Sequence, residues 1–146
     1  MSFSRSHLSE NQVPVHFDPT QLSVVSKENL PEVDFCLLMG SSVDGTVAVG
    51  SDIDLAFYLR EKLTFRFYSK TMEVIRGFLP DVCADIGILN SAEPVYRFEA
   101  LKGKQLFVRD MEVYVSFYSR TCREYESQMF DYERQRRYRR EACHAV

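Results

Sequence analysis

Two aspartates, Asp52 and Asp54, have the spacing in this sequence that points most directly to chemistry. They flank Ile53 at the start of an apolar run that ends at Leu59 and is typical of a central strand. Strand side chains alternate between faces, so both carboxylates project to one side while Ile53 points into the core. Adjacent carboxylates repel each other unless a cation neutralises them, and hard oxygen ligands favour Mg²⁺ or Mn²⁺ over Zn²⁺. The pair therefore predicts a metal site.

A third carboxylate, Asp85, lies inside the apolar run Val82 to Leu89, where a lone charge has no other evident use. We predict that it completes a two-metal site and activates the acceptor of the reaction. Asp81 competes for this role, but it directly follows Pro80, a pattern typical of a turn or a strand entrance. Asp85 is therefore the predicted third ligand.

The loop before the aspartates contains a predicted phosphate-binding segment, Gly40, Ser41 and Ser42. Gly40 would let the backbone approach a ligand closely, and the Ser41 hydroxyl and neighbouring amides can donate hydrogen bonds to phosphate oxygens. Gly45 and Gly50, later in the same loop, are interpreted as turn glycines. The segment would hold a triphosphate beside the metal ions.

These residues carry a resemblance to a known family. Gly40-Ser41, ten intervening residues, Asp52-Ile53-Asp54 and then Asp85 on a later strand resemble the motif of the polymerase beta-type nucleotidyltransferases. More narrowly, the chain from Val33 to Glu141 is similar to their minimal branch (MNT). That branch includes the antitoxins of HEPN/MNT toxin-antitoxin pairs, which transfer AMP from ATP onto a tyrosine of the HEPN ribonuclease.

The resemblance implies a role for each matching residue. Asp52 and Asp54 would bind two Mg²⁺ ions, and Asp85 would ligate one of them while accepting the proton of the acceptor hydroxyl. Gly40, Ser41 and Ser42 would contact the triphosphate of ATP, and the expected partner is a HEPN toxin. The expected activity is metal-dependent transfer of AMP to a tyrosine of that partner.

One departure from the family pattern supports an alternative. The family often has an arginine directly after Gly-Ser and another two residues on, where this chain has Ser42 and Asp44. An arginine would neutralise phosphate charge. The alternative is therefore a catalytically weak or inactive module that keeps the fold and neutralises a toxin by binding it. A small-molecule nucleotidyltransferase is disfavoured, because those enzymes usually carry a further domain for the acceptor.

The elements that would position these residues alternate between apolar runs and helical patterns. They indicate the class α/β (α+β), a mixed sheet of three or four strands with helices on one face and a long C-terminal helix. The predicted strands are Val33–Met39, Ile53–Leu59, Val82–Leu89 and Gln105–Val108, and the predicted helices are one from Pro19 to before Pro31, Glu61–Phe78, Glu93–Leu101 and Met111–Glu141.

Two of the predicted helices carry apolar stripes. The first stripe consists of Tyr68, Met72, Ile75 and Leu79, and the second of Tyr118, Cys122, Tyr125, Met129 and Tyr132. Residues at such spacings lie on one helix face and should pack against another surface. For the tyrosines of the last helix, that surface is either the domain core or a protein interface. The arginine-rich end of the last helix is interpreted as a solvated terminus.

Composition limits the partners and the number of domains. With 146 residues, 45% of them hydrophobic, the chain fits one domain, which we place at residues 19–146 after a loose segment, residues 1–18. The net charge of −3 argues against stable nucleic-acid binding, which needs a broad basic surface.

The cellular location is predicted from three features that the sequence lacks: metal-binding cysteine spacing, a membrane-spanning stretch and a signal peptide. The four cysteines have no metal-binding spacing and are expected to be reduced. No apolar stretch approaches the ~20 residues that span a bilayer, and the start does not resemble a signal peptide. We therefore expect a cytoplasmic protein that does not bind membranes.

Overall fold

The computed structural model describes residues 11–144. Its elements follow one another as β1 (Val15–His16), α1 (Pro19–Asn29), β2 (Val33–Met39), a 3₁₀ turn (Gly40–Asp44), β3 (Thr46–Val47), β4 (Ile53–Leu59), α2 (Phe65–Phe78), β5 (Ala84–Ile88), a short 3₁₀ turn (Leu89–Ser91), α3 (Pro94–Leu101), β6 (Lys104–Val108) and α4 (Met111–His144). The mixed α/β class and the long C-terminal helix are confirmed.

The main sheet has four strands in the order β5-β4-β2-β6. β2 lies antiparallel to both β4 and β6, and β5 lies parallel to β4. A second, two-stranded sheet joins β1 to β3. The prediction of a mixed sheet with three or four strands is therefore confirmed for the main sheet.

Both faces of the main sheet are covered by helices. Ile53, Leu55 and Phe57 of β4 pack in one core with residues of α1 and α2. Ala56, on the other face of β4, packs in a second core with Phe117 of α4 and with residues of β2 and α3. The prediction of helices on one face is wrong. β2 and β4 are apolar apart from one aspartate each, Asp34 and Asp54, and such runs are typical of strands buried on both faces.

Helix α2 begins later and packs on a different stripe than the sequence predicts. The Thr64 hydroxyl accepts a hydrogen bond from the Phe67 backbone amide at 3.1 Å, which fixes the start of the helix at Phe65 rather than Glu61. The buried positions are Phe67, Thr71 and Ile75, whereas Tyr68 is exposed. Tyr68 is therefore wrongly placed in the predicted stripe.

Only the first half of α4 packs on the domain. Tyr114, Phe117 and Thr121 are buried, and the Tyr125 ring stacks on Phe98 of α3 at a centroid distance of 3.9 Å. Tyr118 and Tyr132 are exposed, so the domain core does not cover either end of the predicted stripe. All residues from Phe130 to His144 are exposed, and the arginine-rich end is solvated as predicted.

The described part of the N-terminal segment, residues 11–18, is held against the loop between β2 and β4. Asn11 is buried, and its side-chain amide donates to the Ala48 carbonyl at 2.6 Å. The Phe17 amide donates to the Gly45 carbonyl at 2.9 Å. These hydrogen bonds connect the described part of the segment to the loop, a contact that no sequence periodicity indicates. Residues 1–10 lie outside the described residues.

Two further observations concern the expected location. None of the four cysteines, each within the described residues, forms a disulfide, and Cys36 is buried. In residues 11–144 we find no helix with the length and apolar character needed to cross a membrane.

Candidate active site

The three aspartates that the sequence singles out meet at one edge of the main sheet. β4 and β5 run parallel, and their register places Asp54 directly opposite Asp85. Asp52 precedes Asp54 by two residues, just before β4 begins. Asp54 shares the face of Ala56, which packs under α3 and α4, so the carboxylates lie on that face of the sheet. Asp81 is exposed and lies before β5 begins.

Burial and neighbouring charges disfavour the ionised form of Asp54. Asp54 is half-buried, and its pKa is raised above the usual value for an aspartate. Burial is the largest cause, followed by the charges of Asp85 and Asp52 and by a hydrogen bond between the Asp54 and Asp85 side chains. That hydrogen bond favours the protonated form of Asp54. Any cation that binds here would relieve the repulsion.

The aspartates also determine which ions the site could accept. Within residues 11–144, no group of three or more His, Cys, Asp or Glu side chains is arranged around a position for a metal ion. The donor atoms are nevertheless all carboxylate oxygens, which suit a hard divalent cation such as Mg²⁺. The mutual repulsion of Asp54 with its neighbours also fits such an ion.

Gly40 lies against the Asp54 carboxylate. Met39, the last residue of β2, pairs with Asp54, and the chain then turns at Gly40 with a φ of +74°. A Cβ atom at Gly40 would lie 2.9 Å from Oδ2 of Asp54. Only glycine combines this backbone conformation with so close an approach. The turn thus brings the predicted phosphate-binding segment to the aspartates.

The two serines of that segment face different surroundings. Ser41 is exposed, so its hydroxyl is open to a ligand. Ser42 is buried, and its hydroxyl donates to the Met39 carbonyl at 3.4 Å. The Ser42 side chain is therefore turned into the domain, and a ligand contact from this residue would come from its backbone amide.

Asp44 has a structural role in the same turn. Its carboxylate accepts a hydrogen bond from the Thr46 backbone amide at 3.0 Å. The next residue, Gly45, has a φ of +93° and leads into β3. The carboxylate that replaces a family arginine is thus bound to the backbone of its own turn.

Tyr96 is a residue of this site that the sequence analysis missed. Its hydroxyl oxygen lies against Gly87, where an added Cβ would come within 1.8 Å of it. Its pKa is raised above the usual value for a tyrosine, chiefly by burial and then by the charges of Asp85 and Asp54. A glycine inside β5, two residues after Asp85, is the sequence signal for a group packed this closely.

Comparison with protein families gives one match that covers more than half of the chain. Residues 21–112 match the family described as "Polymerase beta, Nucleotidyltransferase". No curated protein matches the chain.

Several solved structures share the fold. One is a chain of the toxin-antitoxin MntA-HpeT, described as a mutant in which two aspartates, two positions apart, are changed to glutamate. It has a TM-score of 0.65 and 23% identity to this chain, and the match covers 82% of this chain and 94% of that one. A toxin-antitoxin structure with AMP-PNP has a TM-score of 0.64 and 25% identity, with the same coverages of 82% and 94%. A tri-AMPylated HEPN toxin with its MNT antitoxin, from Shewanella oneidensis, has a TM-score of 0.59 and 23% identity, covering 80% and 89%.

Proposed function

This chain belongs to the polymerase beta nucleotidyltransferase family, and from that premise we propose that it is a metal-dependent transferase that moves AMP from ATP onto a hydroxyl group of a partner protein. The observation that carries the proposal is the meeting of Asp52, Asp54 and Asp85 at one edge of the sheet, beside the Gly40 turn. Carboxylates forced together in a half-buried position cost stability, which indicates that the cluster serves a ligand.

We assign Asp52 and Asp54 as ligands of two Mg²⁺ ions, with Mn²⁺ as an alternative, and Asp85 as a ligand of one of them. When bound, such ions neutralise phosphate charge and make the acceptor hydroxyl more acidic. Asp85 is exposed, so an acceptor from a partner protein can reach it and transfer its proton to it.

The Gly40 turn would hold the nucleotide. The exposed Ser41 hydroxyl and the backbone amides of Gly40 to Ser42 donate hydrogen bonds to the triphosphate oxygens. The acceptor oxygen bonds to the α-phosphorus, the bond from that phosphorus to the bridging oxygen breaks, and pyrophosphate leaves. The absence of a side chain at Gly40 keeps the path between triphosphate and Asp54 open.

The structural neighbours suggest the partner and the nucleotide. One of them is a complex of a tri-AMPylated HEPN toxin with an MNT antitoxin, and another contains AMP-PNP. We therefore propose that the acceptor is a tyrosine of a HEPN toxin and that this chain is its antitoxin. Four free cysteines agree with a reducing compartment, and we propose the cytoplasm.

The side chains of Ser42 and Asp44 support the second candidate function, neutralisation of a toxin by binding alone. Ser42 and Asp44 stand where the family often has arginines, and both side chains are bound within the turn. Without those guanidinium groups, fewer charges are available to hold a triphosphate. A chain of this kind could neutralise its toxin by binding alone.

The two candidates separate in one experiment. The protein is incubated with α-labelled ATP, Mg²⁺ and a co-encoded HEPN protein, beside the Asp52→Asn and Asp54→Asn variants. The transferase labels the partner, and each variant loses that label while it still binds the partner. Absence of label with an intact complex would instead support the binding module, as would full neutralisation of the toxin by both variants.

A further inference from the structure

We propose that the chain adenylylates its own Tyr96, whose hydroxyl oxygen lies over Gly87 on the face of the sheet that carries Asp54 and Asp85. The inference rests on the proposed function, because it uses the same nucleotide and the same carboxylates. It adds a modification site within the chain and a way for the transferase to limit its own activity.

The first step is the position of the Tyr96 hydroxyl. Gly87 follows Asp85 by two residues in β5, so both positions face the same side of the sheet, about 7 Å apart along the strand. A Cβ at Gly87 would lie 1.8 Å from the hydroxyl oxygen of Tyr96 and 2.7 Å from its Cζ. The end of the Tyr96 ring therefore occupies the space that a side chain at Gly87 would fill, next to Asp85.

The second step is the rigidity of the helix that carries Tyr96. The neighbouring Arg97 donates from Nε to the Leu89 carbonyl at 2.9 Å and from Nη2 to the Asn90 carbonyl at 2.7 Å. Its guanidinium also lies 5.5 Å from the Phe117 ring centroid. These contacts fix α3 to the end of β5 and to α4, so the Tyr96 hydroxyl is held at the site before any ligand binds.

The surroundings of Tyr96 are partly open to solvent. Tyr96 keeps 37% of its surface exposed, and Asp85 is exposed as well. The surface beside the packed hydroxyl is therefore open at Asp85, and a nucleotide seated at the Gly40 turn would have to reach the hydroxyl from that side. Tyr96 offers the same functional group as the tyrosine acceptor proposed on the partner, and it needs no encounter with a second protein.

The reaction balances without a further reagent. The hydroxyl oxygen of Tyr96 forms a bond to the α-phosphorus of ATP, the bond between that phosphorus and the bridging oxygen breaks, and pyrophosphate leaves. The hydroxyl proton passes to the Asp85 carboxylate. The product carries a phosphodiester at Tyr96, which places a negative charge and a nucleoside beside Asp54 and Asp85 and blocks a second nucleotide.

The chain offers a matched control for Tyr96. Tyr68 lies on α2, which packs against the opposite face of the sheet, and its exposed fraction of 43% is close to the 37% of Tyr96. A reaction that merely follows tyrosine exposure would modify both residues. A reaction directed by the aspartates would modify Tyr96 alone.

The test incubates the full chain with ATP and Mg²⁺ in the absence of a partner, followed by intact-mass measurement and peptide mapping. Wild type and Tyr68→Phe should gain the mass of one adenylyl group at Tyr96, with a rate constant independent of protein concentration. Tyr96→Phe should gain none, and neither should wild type without Mg²⁺. Mapping of the wild-type chain places the group whether or not the variants fold.

A parallel reaction with the HEPN partner separates the two proposals. Partner labelling without any adduct on this chain would overturn the Tyr96 inference and leave the proposed transferase standing. An adduct at another residue of the chain would also overturn it. Absence of label on both proteins would overturn the inference together with the proposed function.

Discussion

At the level of single residues, Asp54 stores unfavourable electrostatic free energy in the folded protein. It is half-buried between the charges of Asp85 and Asp52, and its pKa is raised. A carboxyl group whose pKa is higher in the folded than in the unfolded state reduces stability once the pH exceeds the unfolded value. The three carboxylates thus lower the stability of the folded protein and form a place where a cation can bind.

The first prediction is that Asp54→Asn stabilises the metal-free protein. At pH 7 the free energy of unfolding should rise by about 0.5–1 kcal/mol, because the amide removes one of three like charges in a cluster that solvent partly screens. Chemical denaturation in EDTA measures it, with the exposed Asp81→Asn as the control that should stay within about 0.5 kcal/mol of wild type. A destabilised Asp54→Asn variant would contradict the electrostatic account.

The same pair of proteins should show a defined pH dependence. The folded pKa of Asp54 is raised, so the folded state binds more protons than the unfolded state between the two pKa values, and stability falls as pH rises through that window. The advantage of Asp54→Asn should therefore widen as pH rises above about 4, near the unfolded pKa of an aspartate, until Asp54 is fully ionised in the folded protein. An advantage that is constant across this range would mean another cause.

The second prediction concerns Gly40 and uses Gly50 as its match. Both glycines have positive φ angles, +74° and +70°, but an added Cβ meets the Asp54 carboxylate only at Gly40, whereas at Gly50 it meets nothing within 4 Å. Both alanine variants should lose about 1–2 kcal/mol of stability from backbone strain. Only Gly40→Ala should also lose adenylyl transfer, by roughly tenfold or more, because 1.4 kcal/mol at the site corresponds to tenfold. Equal transfer rates in the two variants would refute the role of the close approach.

At the level of elements, the sequence predicts the bounds of the strands better than the contacts that the strands make with other elements. β2 and β4 have the predicted bounds because each is an apolar run with a single aspartate in it. The expectation that Asp52 and Asp54 share one side follows from strand alternation. β5 is shorter than predicted, and its parallel pairing with β4 cannot be read from a local pattern. The placement of Tyr96 depends on how α3 folds back over β5, a contact that no periodicity encodes.

Helix α4 shows the same limit of periodicity. Its aromatic residues continue at regular spacing to Tyr138, and those from Phe130 onwards are exposed. Phe117, in contrast, is buried and its ring lies 5.2 Å from that of Phe35 and 5.3 Å from that of Tyr58. Spacing alone cannot distinguish these positions, because it does not show where the sheet ends.

The third prediction separates the two halves of α4 by stability. Phe117→Ala should lower the free energy of unfolding by about 3–5 kcal/mol, because it leaves a cavity among packed rings. Phe130→Ala, with the side chain 65% exposed, should change it by no more than about 0.5 kcal/mol. Urea denaturation of both variants checks the contrast. Similar losses in the two would show that the end of α4 packs on the domain.

At the level of the whole molecule, the domain and the projecting end of α4 are separate parts. The exposed stretch from Phe130 to His144 extends roughly 22 Å at about 1.5 Å per residue. The two cores are formed by residues from Leu22 to Phe117. The domain should therefore fold without that stretch.

The fourth prediction tests this separation by truncation. A chain that ends at Met129 should keep its cooperative unfolding and lose no more than about 1 kcal/mol, because the described residues that it removes, 130–144, are all exposed. A chain that ends at Ser116 removes Phe117 and should fail to fold cooperatively. Circular dichroism during thermal unfolding compares the two. Loss of cooperative unfolding in the longer chain would contradict the division.

The fifth prediction addresses the central claim, that the carboxylates at the edge of the sheet carry out adenylyl transfer. The measurement is the rate of AMP transfer to the HEPN partner by Asp85→Asn, beside Asp81→Asn as the neighbouring aspartate outside β5. The account predicts a loss of about 10²–10⁴-fold for Asp85→Asn, as expected when a general base is removed, and a wild-type rate for Asp81→Asn. A wild-type rate for Asp85→Asn would contradict it.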